Sequence, residues 1–232
     1  MKKGKKLHGN KETVVKVCNW LSLPLQALGC CILYLVIEAF SRHSLASAWS
    51  YMVESPWVFL YNAFLIFTTF MVVYLFRRRV LVRLIMSCFW LLLGIINGVI
   101  LANRVTPFTG PDLRNLSDGA KVVTKYLSKG TMILVAAALV ALLAFFVWVW
   151  IKGPKFQGKI RWYLNVPLIA LVIVLFTGAT NLALAKRVLS SYFVNIAFAY
   201  QDYGYPYCLA VTLFDTGISE PNGYSEQLVK QI

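Results

Sequence analysis

The sequence predicts an all-α, polytopic membrane protein on three grounds. It is far more apolar than a soluble domain, its apolar residues gather into five runs of membrane-spanning length, and its basic residues cluster between those runs. Of the 232 residues, 59% are hydrophobic and only 14% are charged, against about 45 to 50% and about 25% in ordinary soluble domains. Aromatic residues, at 15%, add large side chains that a solvated coil does not carry. A hydrocarbon core about 30 Å thick takes roughly 20 apolar residues of helix. Trp20 to Phe40, Trp57 to Phe76, Leu84 to Ala102, Thr131 to Ile151 and Trp162 to Ala185 each meet that length. Backbone polar groups in lipid must pair within their own segment, and the alternating pattern of a β-barrel is absent, so each run is expected as a helix.

The net charge of +14 would suggest nucleic acid as the partner of a soluble protein. Here no basic, aromatic-interleaved soluble module is present, and nucleic acid is not expected. The Lys and Arg residues instead set a direction across the membrane. With the amino terminus cytoplasmic, that side receives 14 basic residues, among them Arg77, Arg78, Arg79 and Arg83, and the other side receives 9. This bias predicts amino terminus in and carboxyl terminus out. The basic MKKGKK start and the Ala46-Ser47-Ala48 site resemble a cleaved signal, but the first apolar run is too long for one, and Glu38, Arg42 and His43 intervene. An uncleaved anchor is expected.

The first run carries Glu38, the only acidic residue inside a span. An intramembrane ionisable group is a functional candidate by default. Two residues from the outer end of its run, Glu38 is expected to reach the headgroups as an anchor, with a lipid- or ion-binding role as the sharper alternative. In the third run Gly94 and Gly98 form a GxxxG pair beside Asn97, and in the fourth Ala137 and Ala141 repeat the spacing. Small residues four apart let helix backbones approach closely. They predict packing within the bundle, with a dimer seam as the alternative. Pro24 and Pro167 fall near the starts of their runs, where a missing N–H is tolerated. Asn165 is placed to cap the fifth helix, and Thr177, Thr180 and Asn181 put polar atoms toward its outer end.

Between the third and fourth runs, Asn103 to Gly130 exceeds a simple connector. Its Thr106-to-Asp112 segment, TPFTGPD, reads as a turn. Beyond it Ser117 is a plausible N-cap. Leu116, Ala120, Val123 and Leu127 share one helical face, while Lys121, Lys125 and Lys129 recur on another. This pattern fits an interfacial amphipathic helix. Its lysines are expected to be solvated on a surface helix, with neutralisation of the phosphates of anionic lipid as the functional alternative.

After the last run, Val188 to Tyr200 keeps an apolar, aromatic face and is expected as a juxtamembrane helical neck. A Tyr203-Gly204-Tyr205-Pro206 turn and an apolar stretch from Tyr207 to Phe214 follow. Ser225 reads as the N-cap of a new helix, SEQLVKQI, which is expected to stop after two turns without a terminator. That is expected of a chain that leads into a further domain. The organisation is thus a transmembrane domain over residues 1–187 and an extracellular neck over 188–232.

Little in the sequence supplies chemistry of its own. The five cysteines form no CxxC pair and read as packing residues, with only Cys208 expected to face outward. Two histidines leave almost no material for a His-based metal site, and no nucleophile, base and charge stabiliser gather at motif spacing.

The basic amino terminus, the five runs, the long outer loop with TPFTGPD, and the tail YQDYGYPYCLAVTLFDTGISEPNGYSEQLVKQI resemble the membrane domain of the lipoteichoic acid synthase family. The similarity covers the chain as architecture and is most specific from Tyr200 to Tyr224. There the Pro221-x-Gly223-Tyr224-Ser225 pattern is similar to the linker that leads into the family's extracellular sulfatase-like domain. The resemblance implies transfer of glycerol phosphate from phosphatidylglycerol onto a growing cell-envelope polymer, using a threonine nucleophile and a divalent metal, typically manganese. Those residues belong to the domain that would follow Ile232, and none is assigned here, Thr216 included. A transporter with Glu38, Asn97 and Asn181 along its path, and a structural partner subunit, are the competing readings. The first would be expected to carry inverted repeats and broken midplane helices, which the sequence lacks.

Overall fold

A computed structural model describes residues 22–115, 129–154, 156 and 160–214, although the side chains of 129–132, 134–136, 138 and 139 fall outside that description. Every regular element among these residues is helical. They are α1 (Ser22–Ser41), α2 (Leu45–Glu54), α3 (Pro56–Phe70) running into a 3₁₀ turn (Met71–Leu75), α4 (Arg79–Leu101), α5 (Gly110–Arg114), α6 (Lys129–Lys152), α7 (Trp162–Ala185), α8 (Ile196–Tyr203) and α9 (Tyr205–Phe214). Four stretches are long and apolar enough to cross a membrane: Ser22–Ser41, Pro56–Leu75, Arg79–Leu101 and Trp162–Ala185. The fourth predicted run lies in α6, where the described apolar portion is the shorter Val140–Lys152.

Successive long helices reverse direction, so the bundle has two chemically different ends. The basic end gathers Ser22, the Arg77–Arg83 turn and the start of α7. There the Phe156 N–H donates to the Arg77 carbonyl at 2.9 Å, and the Arg78 guanidinium lies 4.8 Å from the centre of the Trp150 ring. The opposite end, here the loop end, carries α2, α5, α8 and α9.

Helix α1 sits between α3 and α4 and supplies the core residues Cys30, Tyr34 and Ile37. Gly94 and Gly98 make its contact with α4 possible. A Cβ on Gly94 would stand 3.1 Å from Ile37, and one on Gly98 would stand 2.8 Å from the Phe40 carbonyl oxygen. The GxxxG pair is therefore a seam inside the chain. Ala137 and Ala141 are exposed on α6 and form no such seam.

In α3 the hydroxyls of Thr68 and Thr69 bond back to the Phe64 and Ile66 carbonyls, at 2.8 and 2.6 Å, just before the helix tightens into its 3₁₀ turn. Such back-bonding competes with the helical ladder. The freed Tyr74 carbonyl accepts from Asn165 Nδ2 at 2.8 Å, which ties α7 to this turn. Asn165 thus acts as an inter-helix strut, and the cap position of α7 falls to Arg161.

Two features depart from the sequence expectation. Helix α2 occupies what reads as an outer loop. His43 turns the chain with φ 52, Ser44 caps α2 by accepting from Ser47 N, and Ala48 and Tyr51 are buried. The predicted helix from Val188 to Tyr200 starts only at Ile196. Its upstream half is diverted by Arg187 at φ 56 and by the Ser190 hydroxyl donating to the Tyr192 carbonyl at 2.7 Å, and Asn195 then caps α8 by accepting from Ala197 N at 2.9 Å.

The glycine geometry gives a paired expectation. Gly98→Val forces a branched side chain onto the α1 backbone and should cost about 1–3 kcal/mol as an overpacked contact. A Cβ on Gly178 meets nothing within 4 Å, so Gly178→Ala should be neutral or slightly stabilising. Thermal unfolding in detergent by near-ultraviolet circular dichroism separates the two, with only Gly98→Val lowering the midpoint.

Candidate functional site

The chain turns from α8 into α9 at Gly204, whose φ of 81 lies in the left-handed region. Space demands glycine there as well. A Cβ would overlap the Tyr34 hydroxyl and stand 2.8 Å from Asn62 Nδ2. The tail is thereby pressed against α1 and α3, and its backbone groups at the turn lose water. Two side chains of the bundle replace it.

Glu38, fully buried on α1, accepts from Tyr205 N at 3.0 Å with one oxygen and from Arg42 Nε at 3.0 Å with the other. Arg42 also donates to the Gln201 carbonyl at 2.8 Å and lies 4.0 Å from the centre of the Tyr51 ring. Asn62, equally buried on α3, donates to the Tyr203 carbonyl at 2.8 Å and accepts from Tyr207 N at 2.9 Å. Together they supply acceptors for the first N–H groups of α9, which no helical carbonyl can reach. A carboxylate at a helix N-terminus is also favoured by the helix dipole. Glu38 is therefore a cap for the tail. The expected headgroup anchor does not form, because Arg42 and the tail enclose the carboxylate completely.

The long outer loop grips the tail from its other side. Buried Asn97 donates to Ser41 Oγ at 2.9 Å and accepts from Phe108 N at 2.8 Å, which fixes the Pro107-Phe108 corner. The TPFTGPD segment continues into α5, where Asp112 accepts from Thr109 N and Thr109 Oγ1 in a capping box and pairs with Arg104. Partial burial works against the Asp112 charge, but the Arg104 and Thr109 hydrogen bonds outweigh it and hold the carboxyl below the usual aspartate range. From this corner Gly110 N donates to Thr212 Oγ1 at 3.0 Å and Arg114 to the Leu213 carbonyl at 3.0 Å.

Beside the clamped tail a cavity of about 1120 Å³ opens between α3, α4 and α7, with α9 along one side. Its lining is mainly apolar and aromatic, including Phe89, Trp90, Phe176 and Leu209. Hydroxyls mark its loop-end rim, where Tyr61 and Thr180 share a hydrogen bond of 2.9 Å and Ser191 stands near. A mainly apolar cleft with a few hydroxyls, Thr68 and Thr69 of α3 among them, matches the build of a small-molecule site.

Of the residues singled out by sequence, Glu38, Asn97, Gly94 and Gly98 converge at the loop end. Lys121 and Lys125, with Ser117 and the apolar face around them, lie outside the described residues. Lys129 opens α6, but its side chain is not among those described. Asn181 is exposed and joins neither Glu38 nor Asn97 in a common path. Cys208, expected to face outward, is buried because the first turn of α9 is packed under α8. Asn62 escaped the sequence reading, and Gly204 is read there only as part of a turn, without its contact with Tyr34 and Asn62. Their signals are an asparagine in an otherwise apolar run and a glycine between aromatic residues.

Among the described residues no three His, Cys, Asp or Glu side chains gather where one metal ion could sit. No family model matches the chain, and neither the curated proteins nor the solved structures yield a match.

Two outcomes follow from the clamp. Asn62→Leu leaves a buried N–H of Tyr207 and a buried carbonyl of Tyr203 unpaired, each costing about 1–3 kcal/mol. Limited proteolysis should then cut within residues 196–214 well before the bundle itself opens. The α5 corner should respond to acid. Because the Asp112 pKa is lowered on folding, its contribution is present above the ordinary aspartate value and is lost as pH falls through the lowered one. Amide exchange at Thr109 should stay slow down to that point and accelerate below it, and Asp112→Asn should remove the dependence.

Proposed function

We propose that this chain is the membrane-embedded part of a phosphoglycerol transferase resembling the lipoteichoic acid synthases, acting as anchor and mount for a catalytic domain that works outside the cell. The observation that carries this reading is the buried clamp. Glu38 and Asn62 fasten α8 and α9 to the bundle, so a domain following the tail would be held at a set height and angle over the bilayer. A flexible tether would need none of these buried hydrogen bonds. In this reading α6 crosses the membrane as a fifth span, the basic end faces the cytoplasm, and the loop end with its tail faces outward.

The substrate end of the proposal is lipid. Lys121, Lys125 and Lys129 fall in the stretch of sequence that runs from α5 to the first residue of α6, where an amphipathic helix would set them against the phosphate of phosphatidylglycerol. The apolar cavity beside α9 suits acyl chains. The family's manganese would belong to the following domain, and no catalytic role is given to a residue here.

Phosphatidylglycerol binding in nanodiscs should weaken several-fold when Lys121, Lys125 and Lys129 are together changed to Gln, with phosphatidylcholine binding unaffected. Unchanged phosphatidylglycerol binding would remove the lipid-feeding part. A reporter fused after Ile232 should be active only outside the cell, and activity confined to the cytosol would overturn the mount as well.

A further inference from the structure

The basic end contains a second, smaller cavity, of about 310 Å³, between α1 and α4 and closed at its back by Phe70. Its composition changes along α1. Ser22, Gln26 and Arg83 are polar at the mouth, whereas Leu25, Gly29, Cys30, Leu33 and Phe70 are apolar, and Ser87 adds one hydroxyl beyond Arg83. From Ser22 to Leu33 the helix climbs about 16 Å at 1.5 Å per residue, so the slot runs from the end of the bundle toward its middle.

The mouth is assembled but short of an acceptor. Arg83 Nε donates to Gln26 Oε1 at 3.1 Å, and Arg83 Nη2 donates to Ser22 Oγ at 2.8 Å. This fixes the Gln26 amide, which is only 6% exposed, and leaves its Nε2 buried with no partner among the described residues. Arg79 Nε, one turn before Arg83, and Arg78 Nη1 share that state, but neither residue lines the slot. Buried donors are ordinarily satisfied, and unmade bonds to charged groups are the costliest. Among the described residues one further such atom, the Tyr205 hydroxyl, lies at the loop end; the three at the basic end are donors, and two belong to cations. The described carboxylates, Glu38, Glu54, Asp112 and Asp202, all lie at the other end, so no protein anion among them can answer.

We propose that this slot binds one anionic glycerophospholipid, its phosphate held at the mouth by Arg83 and Gln26 and the start of an acyl chain laid along Gly29 and Leu33. The phosphate offers the acceptor oxygens that the mouth lacks, and guanidinium groups suit phosphate in charge and geometry. The apolar depth distinguishes a lipid from a free phosphate ion, which would leave that part of the slot unfilled. Basic pockets between helices at a membrane surface are a recurring form of headgroup site. The site is at the opposite end from the outer-loop lysines and does not depend on the proposed transferase role.

Gly29 provides a clean probe, because a Cβ there meets nothing within 4 Å. Gly29→Leu should fill the slot without disturbing the fold, while Gln26→Leu removes the unpaired donor. The full chain, carrying Lys121, Lys125 and Lys129 changed to Gln so that the outer loop is silent, is titrated in detergent with dioleoyl phosphatidic acid, dioleoyl phosphatidylcholine or inorganic phosphate. Native mass spectrometry counts the lipid retained, and the thermal midpoint of each variant verifies folding. One phosphatidic acid should be retained per chain, with binding about tenfold weaker in either variant, as expected for loss of a charge-assisted hydrogen bond or of the chain site. Neither phosphatidylcholine nor inorganic phosphate should compete at equal concentration. Equal retention of phosphatidylcholine, undiminished binding in folded Gly29→Leu, or saturation by inorganic phosphate alone would each overturn the proposal.

Discussion

A carboxylate inside a helix of membrane-spanning length has to be answered by the rest of the chain, and the placing of the tail follows from how Glu38 is answered. Alone in an apolar segment it would be expensive to keep charged. One oxygen is met by Arg42, one turn further along the same helix. The other is met by the backbone of Tyr205, 167 positions away. Because that second donor exists only where α9 begins, the ion pair and the docking of the tail are one arrangement. Asn62 repeats the logic from α3, taking both a carbonyl from α8 and an N–H from α9. Removing one partner of such a buried set leaves the other uncompensated, which makes the junction specific.

The two ends of the bundle solve the same electrostatic problem differently. At the loop end, described cations find described carboxylates, Arg42 with Glu38 and Arg104 with Asp112. At the basic end the arginines rest on aromatic faces, Arg78 over Trp150 and Arg79 over Phe156. A ring face offsets part of the desolvation of a guanidinium but accepts no strong hydrogen bond. The loop end thus answers these charges with protein groups, although the Tyr205 hydroxyl stays buried there without a partner, and the basic end keeps cationic donors that no described carboxylate meets. This asymmetry is the physical basis for assigning a mechanical role to one end and an anion site to the other.

Much of the architecture was legible because it rests on local signals. The runs starting near residues 20, 57, 84 and 162 are long and apolar, and their helices begin within a few residues of those points, apart from α4, which extends back to Arg79. Gly94 and Gly98 announced a close seam, and the seam is there. Glu38 was conspicuous as a lone carboxylate, but its role was not, since the Tyr205 backbone donor carries no side-chain signature. Helix α2, at ten residues, is too short to read as a span, and its cap at Ser44 is a local signal beyond the first run. The neck was misjudged for the reverse reason. Leu189, Tyr192 and Phe193 have helical spacing, yet Arg187 and Ser190 bend the backbone away, and Leu189 is buried as a loop residue.

The central claim is that the tail and the bundle move as one body, and an intramolecular distance tests it most directly. In a cysteine-free background, spin labels at the exposed positions Leu60 on α3 and Phe198 on α8 report across the junction by double electron–electron resonance in nanodiscs. The account predicts a single narrow distance distribution in the otherwise native chain, broadening when Glu38 and Asn62 are both replaced by Leu. A broad distribution with those two residues intact would contradict it.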